Sequence, residues 1–98
     1  LGEDTLAEAR QEVTIVNKRG LHARASAKFV GAVALMEGTQ VTVARDGAEA
    51  AGGSILGLMM LGAAKGDTVE IRVSGADYEA RLSELVSMVE DGFGEDKS

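Results

Sequence analysis

With 98 residues, 45% of them hydrophobic and 27% charged, the chain has the composition of one small folded domain, and no apolar run nears the roughly 20 residues of a membrane span. It contains no cysteine, which excludes disulfides and thiolate metal sites, and its net charge of −6 argues against nucleic acid or anionic membrane as partners. No signal-like segment stands at the front, so the expectation is a cytoplasmic protein without membrane insertion; a monomer is also expected.

In chain order, residues 1–10 (LGEDTLAEAR) read as a polar N-terminal tail, with the domain proper over 11–92. VTIV alternates, with Val13 and Ile15 on one face, as in a half-buried strand, and NKRG breaks it. From His22 the period becomes helical: Phe29, Val33 and Met36 share a face, Val30 lies beside it, and Glu37-Gly38 ends the run. TQVTVA alternates again, Asp46-Gly47 has the composition of a tight hairpin turn, and an alanine-rich return strand follows over about 48–52. Gly52-Gly53-Ser54 opens a short apolar segment, ILGLMML, that Gly62 closes. TVEIRV is the clearest strand, Val69, Ile71 and Val73 opposing Thr68, Glu70 and Arg72. A last helix runs from an expected Asp77 cap to Asp91 with a stripe of Tyr78, Leu82, Leu85, Val86 and Val89, and GFGEDKS, residues 93–98 above all, reads as a C-terminal tail. Strands with one apolar face need one cover, so this β-α-β-β-α-β-α order predicts an α+β open-faced sandwich, an antiparallel sheet with its helices on one side.

Charge is unevenly spread. Between Val13 and Met36 there is no acid, while Lys18, Arg19, Arg24 and Lys28 are all basic, giving that segment +4 and the rest −10. The single histidine, His22, lies in this island at a strand-to-helix junction. A residue at a helix start faces backbone N–H groups that lack intrahelical partners, here those of Ala23 and Arg24, and the positive end of the helix dipole. Such amides bind anions, the Arg24 side chain can add planar donors suited to phosphate oxygens, and Gly20 removes bulk beside the ring. A neutral imidazole in that setting can attack a phosphoryl group and hold it as a labile phosphoramidate. A lone histidine is more often a cap or surface residue. A metal site would need ligands that the segment lacks, and a hydrolytic pair with Ser26 has no visible orienting acid.

ILGLMML has no polar face to turn toward water. A helix covering a sheet in so small a domain must show one side, so Leu58 and Leu61 are expected inside and Ile55, Leu56 and Met59 outside as an apolar docking patch. Ser54 suits an N-cap, and a phosphate on it would set negative charge beside that patch.

GLHAR opening a helix, followed later by GGSILGLMMLGAAKGD, resembles the histidine-containing phosphocarrier (HPr) family of the bacterial phosphoenolpyruvate-dependent phosphotransferase system, over about residues 11–94. The resemblance implies a four-stranded antiparallel sheet covered by three helices. It implies a carrier that works only with partner enzymes and needs no cofactor or metal. His22 would be phosphorylated on Nδ1 by enzyme I, itself charged from phosphoenolpyruvate, and would pass the group to IIA proteins or domains for sugar uptake or nitrogen-related regulation. Arg24 matches the arginine beside the active histidine, and Ser54 the serine modified by HPr kinase/phosphorylase. Leu21, Ile55, Leu56 and Met59 fall at the family's docking patch. Two positions depart from the usual pattern: Ala25 stands where proline is common, and Ser26 where a small apolar residue is.

The rival reading is a ferredoxin-like small-ligand module with no phosphohistidine, which shares much of the element order. RNA recognition on such a sheet needs strand aromatics, whereas Phe29, Tyr78 and Phe93 are expected in helices or the tail.

Overall fold

A computed structural model describes residues 7–95. The elements are β1 (Glu8–Thr14), α1 (Ala23–Ala34), β2 (Thr39–Arg45), β3 (Ala48–Ala51), α2 (Ile55–Met60), β4 (Thr68–Gly75) and α3 (Tyr78–Glu90), followed by a 3-10 turn at Gly92–Gly94. The four strands form one sheet in the order β1-β4-β2-β3, and every pairing is antiparallel. Val69, Ile71 and Val73 of the central strand β4 are buried, opposite Val13 of β1 and Val43 and Val41 of β2. The core is completed from one side by Phe29 of α1, Leu58 of α2, and Leu82, Leu85, Val86 and Val89 of α3. This is the open-faced sandwich that the alternation of one-sided strands predicts. Among the described residues no helix is long and apolar enough to cross a membrane.

Four local expectations need correction. The tail expected over 1–10 is too long: Glu8, Ala9 and Arg10 already pair with Ser74, Val73 and Arg72, while residues 1–6 lie outside the described part. The strand start is masked because Ala9 and Gln11, which align with Val73 and Ile71, are small or polar. Asp77 precedes α3 in the left-handed region (φ 53°) and its side chain makes no cap hydrogen bond. Helix α1 ends earlier than Glu37, at the Leu35 cap, with Met36 buried just beyond it. Finally, the segment after α3 is not a free tail: Phe93 is only 3% exposed and belongs to the core, although residues 96–98 are outside the described part. At Asp46-Gly47, both residues have positive φ (51° and 86°), the geometry of the two-residue hairpin turn that this dipeptide favours.

Candidate functional site

The turn joining β1 to α1 is shaped by its contacts with the loop before β4. Ile15 N–H donates to Asp67 O at 2.8 Å, Gly66 N–H to Ile15 O at 2.8 Å, and Leu21 N–H to Ala63 O at 3.0 Å. Gly20 has φ +65°, and a Cβ there would run into the Ala63 carbonyl oxygen, so glycine is required on both conformational and steric grounds. Asn17, fully buried, braces the turn from within by donating to Gly20 O at 2.8 Å.

That turn delivers His22 to the N-cap of α1 with extended backbone angles (φ −75°, ψ −179°). Its carbonyl accepts from Ser26 N–H at 2.9 Å, and its Nδ1 accepts from Arg24 N–H at 3.3 Å. Accepting through Nδ1 means that the lone pair is there, so the neutral ring carries its hydrogen on Nε2. Nε2 in turn lies 2.6 Å from Glu95 Oε2. The imidazole is 16% exposed, partly shielded by Glu95 yet open to a cleft of about 330 Å³ lined also by Lys18, Arg19, Arg24 and Lys28. It is therefore neither packed into the apolar interior nor far from a helix start. The first amides of α1 and the basic side chains give this cleft the chemistry of an anion receptor.

The structure brings His22, Ala23 and Arg24 together and leaves Ser54 and α2 as a separate feature. Ser54 caps α2, its Oγ accepting from Gly57 N–H at 2.9 Å. Leu58 and Leu61 point inward, while Ile55, Leu56 and Met59 are exposed, as their spacing implies; Met60, 77% exposed, extends the patch. Leu21 is a correction to the expected docking patch. It is 7% exposed and faces the same small internal void as Ile15 and Phe29, because the residue before the cap turns inward as His22 turns out. Ser26, the second unusual position, is wholly buried with its hydroxyl donating to Leu21 O at 3.2 Å, which satisfies a polar group that would otherwise be costly there. Ala25 beside it is wholly buried too.

Sequence reasoning missed the residues on the far side of the cleft. Lys28 Nζ donates to Phe93 O at 2.7 Å, and Asn17 Nδ2 donates to Glu95 Oε1 at 3.0 Å. Burial alone would raise the Glu95 carboxyl, but hydrogen bonds from Asn17 and His22, with the charge that His22 carries when protonated and that of Lys28, outweigh it and hold the group below its ordinary value. The available signal was Gly-Phe-Gly: an aromatic residue between two glycines reads better as an anchored turn than as a tail.

The fold and this site define a class: a small open-faced sandwich that presents one histidine at an anion-ready helix start. A family model described as "PTS HPr component phosphorylation site" matches residues 9–91. The phosphocarrier protein HPr of Neisseria meningitidis serogroup A is 41% identical over 86 residues, 88% of this chain and 96% of that protein. The phosphocarrier protein NPr of Escherichia coli is 37% identical over 90 residues, 89% of this chain and 97% of that one. The crystal structure of HPr-C-His from Thermoanaerobacter tengcongensis superposes with a TM-score of 0.84 at 35% identity, covering 90% of this chain and 98% of that one. The chain belongs to the HPr family of phosphocarrier proteins of the phosphotransferase system. Membership sets aside the ferredoxin-like alternative, and it brings the family's partners, enzyme I and IIA proteins.

Proposed function

We propose that His22 carries the phosphoryl group on Nδ1, accepting it from enzyme I and giving it to a IIA protein. The observation that supports this best is the cap geometry, in which Nδ1 holds a lone pair beside the Arg24 amide at the mouth of a basic cleft. In the forward step that lone pair attacks phosphorus, an N–P bond forms, and the bond to the donor breaks with its electron pair staying on the donor. The amides of Ala23 and Arg24 and the Arg24 guanidinium stabilise the charge on the transferring oxygens, and the first two are already aligned by the helix. Transfer onward is the reverse at Nδ1, which is why the site must attract the group without gripping it.

The exposed Ile55, Leu56 and Met59 serve as the docking surface for these partners, held beside the site by the packing of α2 on α1. Ser54 is the regulatory position for HPr kinase/phosphorylase: modification places about two negative charges at the edge of the apolar patch and weakens enzyme I docking. The protein acts as a cytoplasmic monomer, without nucleic acid or membrane insertion.

The test is incubation with phosphoenolpyruvate and catalytic enzyme I, followed by intact mass. One acid-labile phosphoryl group is expected on the wild type and none on His22→Ala. No label on folded wild type, or an undiminished label on the variant, overturns the assignment.

A further inference from the structure

Glu95 stands 73 positions after His22, yet it is the acidic residue of a cleft whose other charged side chains are Lys18, Arg19, Arg24 and Lys28. Its placement is built rather than incidental. Gly92, Phe93 and Gly94 all have positive φ (69°, 57° and 75°). For phenylalanine that conformation is costly, and it is held by burial of the ring in the core and by Lys28 donating to the Phe93 carbonyl. The turn ends with the Glu95 carboxylate spanning two partners, Oε1 on Asn17 and Oε2 on His22 Nε2. Asn17 is the same residue that braces Gly20, so one buried amide aligns both the imidazole's turn and the carboxylate that faces the ring.

We infer that Glu95 is a positioning residue for phosphoryl transfer: it holds the Nε2 hydrogen, keeps Nδ1 unprotonated as the nucleophile, and balances the positive charge that the ring acquires once Nδ1 is phosphorylated. This rests on the reading of His22 as the phosphoryl carrier. The balance is as follows. Before attack the ring is neutral, with hydrogen on Nε2. When the Nδ1 lone pair forms the N–P bond and the donor keeps the electrons of the broken bond, the ring retains that hydrogen and becomes an imidazolium. Four cations around the cleft attract the incoming phosphoryl oxygens but oppose a cationic ring, and Glu95 offsets them at the atom where the charge is shared. A ring kept protonated is also the better leaving group in the onward step, since its electron pair returns to a neutral imidazole.

The experiment compares wild type, Glu95→Gln and Glu95→Asp, each phosphorylated by enzyme I, and follows onward transfer to a IIA acceptor across pH. Gln keeps an acceptor for Nε2–H and removes the charge; Asp keeps the charge on a shorter arm. The alkaline limb of the rate profile should move down by about one pH unit in Glu95→Gln, and rates above it should fall about tenfold. Glu95→Asp should lie closer to wild type. A Gln profile that overlays wild type, or Gln and Asp profiles displaced alike, overturns the inference. If wild type takes up no acid-labile phosphate on His22, it is the carrier reading that fails, and that outcome is distinct from the other two.

Discussion

His22 and Ser54 occupy equivalent positions at two helix starts. Each has extended backbone angles, and each side chain accepts a hydrogen bond from an amide of the first turn, Arg24 N–H for His22 and Gly57 N–H for Ser54. What differs is the company. Around His22 stand basic side chains, the carboxylate of Glu95, and a 12-residue helix whose dipole favours an anion. Around Ser54 stand glycine and the apolar side chains of a six-residue helix that buries Leu58 and exposes Ile55, Leu56, Met59 and Met60. The same local motif thus supports a reactive nitrogen in one place and a hydroxyl beside a docking surface in the other. Capping explains the backbone at both; surrounding charge separates their chemistry.

Several measurements would break or sharpen this contrast. The largest effect is expected at the turn that delivers Glu95. Phe93→Ala removes a core ring and should cost about 3 kcal/mol in chemical denaturation. It should also displace Glu95 from His22 while leaving the Ser54 cap intact, as read from amide chemical shifts at Gly57. Unchanged His22 ring resonances in that variant would show that Phe93 does not hold the turn that carries Glu95. Arg24→Ala should slow phosphoryl uptake about a hundredfold with little change in stability, because an exposed guanidinium acting on the transition state is lost. An unaffected rate in stopped assays with enzyme I would leave the main-chain amides as the whole anion receptor.

At the other helix start, Ser54→Asp should raise the KM of enzyme I for this protein about tenfold at similar kcat, since aspartate can still cap but adds charge to the apolar patch. Ser54→Ala should do the opposite, leaving KM unchanged while costing about 1 kcal/mol of stability. Equal KM values for the Asp variant and wild type would remove the proposed switch.

The smallest effect is that of acid. Glu95 has its carboxyl held below the ordinary glutamate value in the folded state, so it contributes stability that is present above that ordinary value of 4.5. That contribution fades as pH falls through the lower, folded-state value. A Glu95→Gln variant should therefore lose less stability than wild type on acidification below about pH 4, by a fraction of a kcal/mol given the partial exposure of the pair. Parallel stability curves for the two proteins below that pH would mean that the carboxylate is not held in solution.

Much of the contrast was legible in the sequence, and the parts that were not share a cause. Periodicity exposed β4, where every second residue is buried, and separated Leu58 and Leu61 from Ile55, Leu56 and Met59 across a helix of only six residues and its C-cap. Chemistry exposed His22, because one imidazole in a basic stretch after a glycine has few reasons to be there. Hidden were features that depend on distant partners. The first residues of β1 lack an apolar alternation and are held by the edge of β4. Leu21 has the composition of a surface anchor but is claimed by the core as the chain turns about Gly20. Glu95 gains its role only when a left-handed turn, Lys28 and Asn17 bring it 73 positions back along the chain. Local pattern reports which face a side chain takes; it does not report which other segment arrives there.

The most direct test is phosphorus–nitrogen coupling in NMR spectra of the phosphorylated, 15N-histidine-labelled protein. The account predicts phosphorus bonded to Nδ1 of His22 with the ring hydrogen retained on Nε2. Coupling to Nε2, or a phosphorylated protein whose imidazole shows no coupling at all, would contradict it.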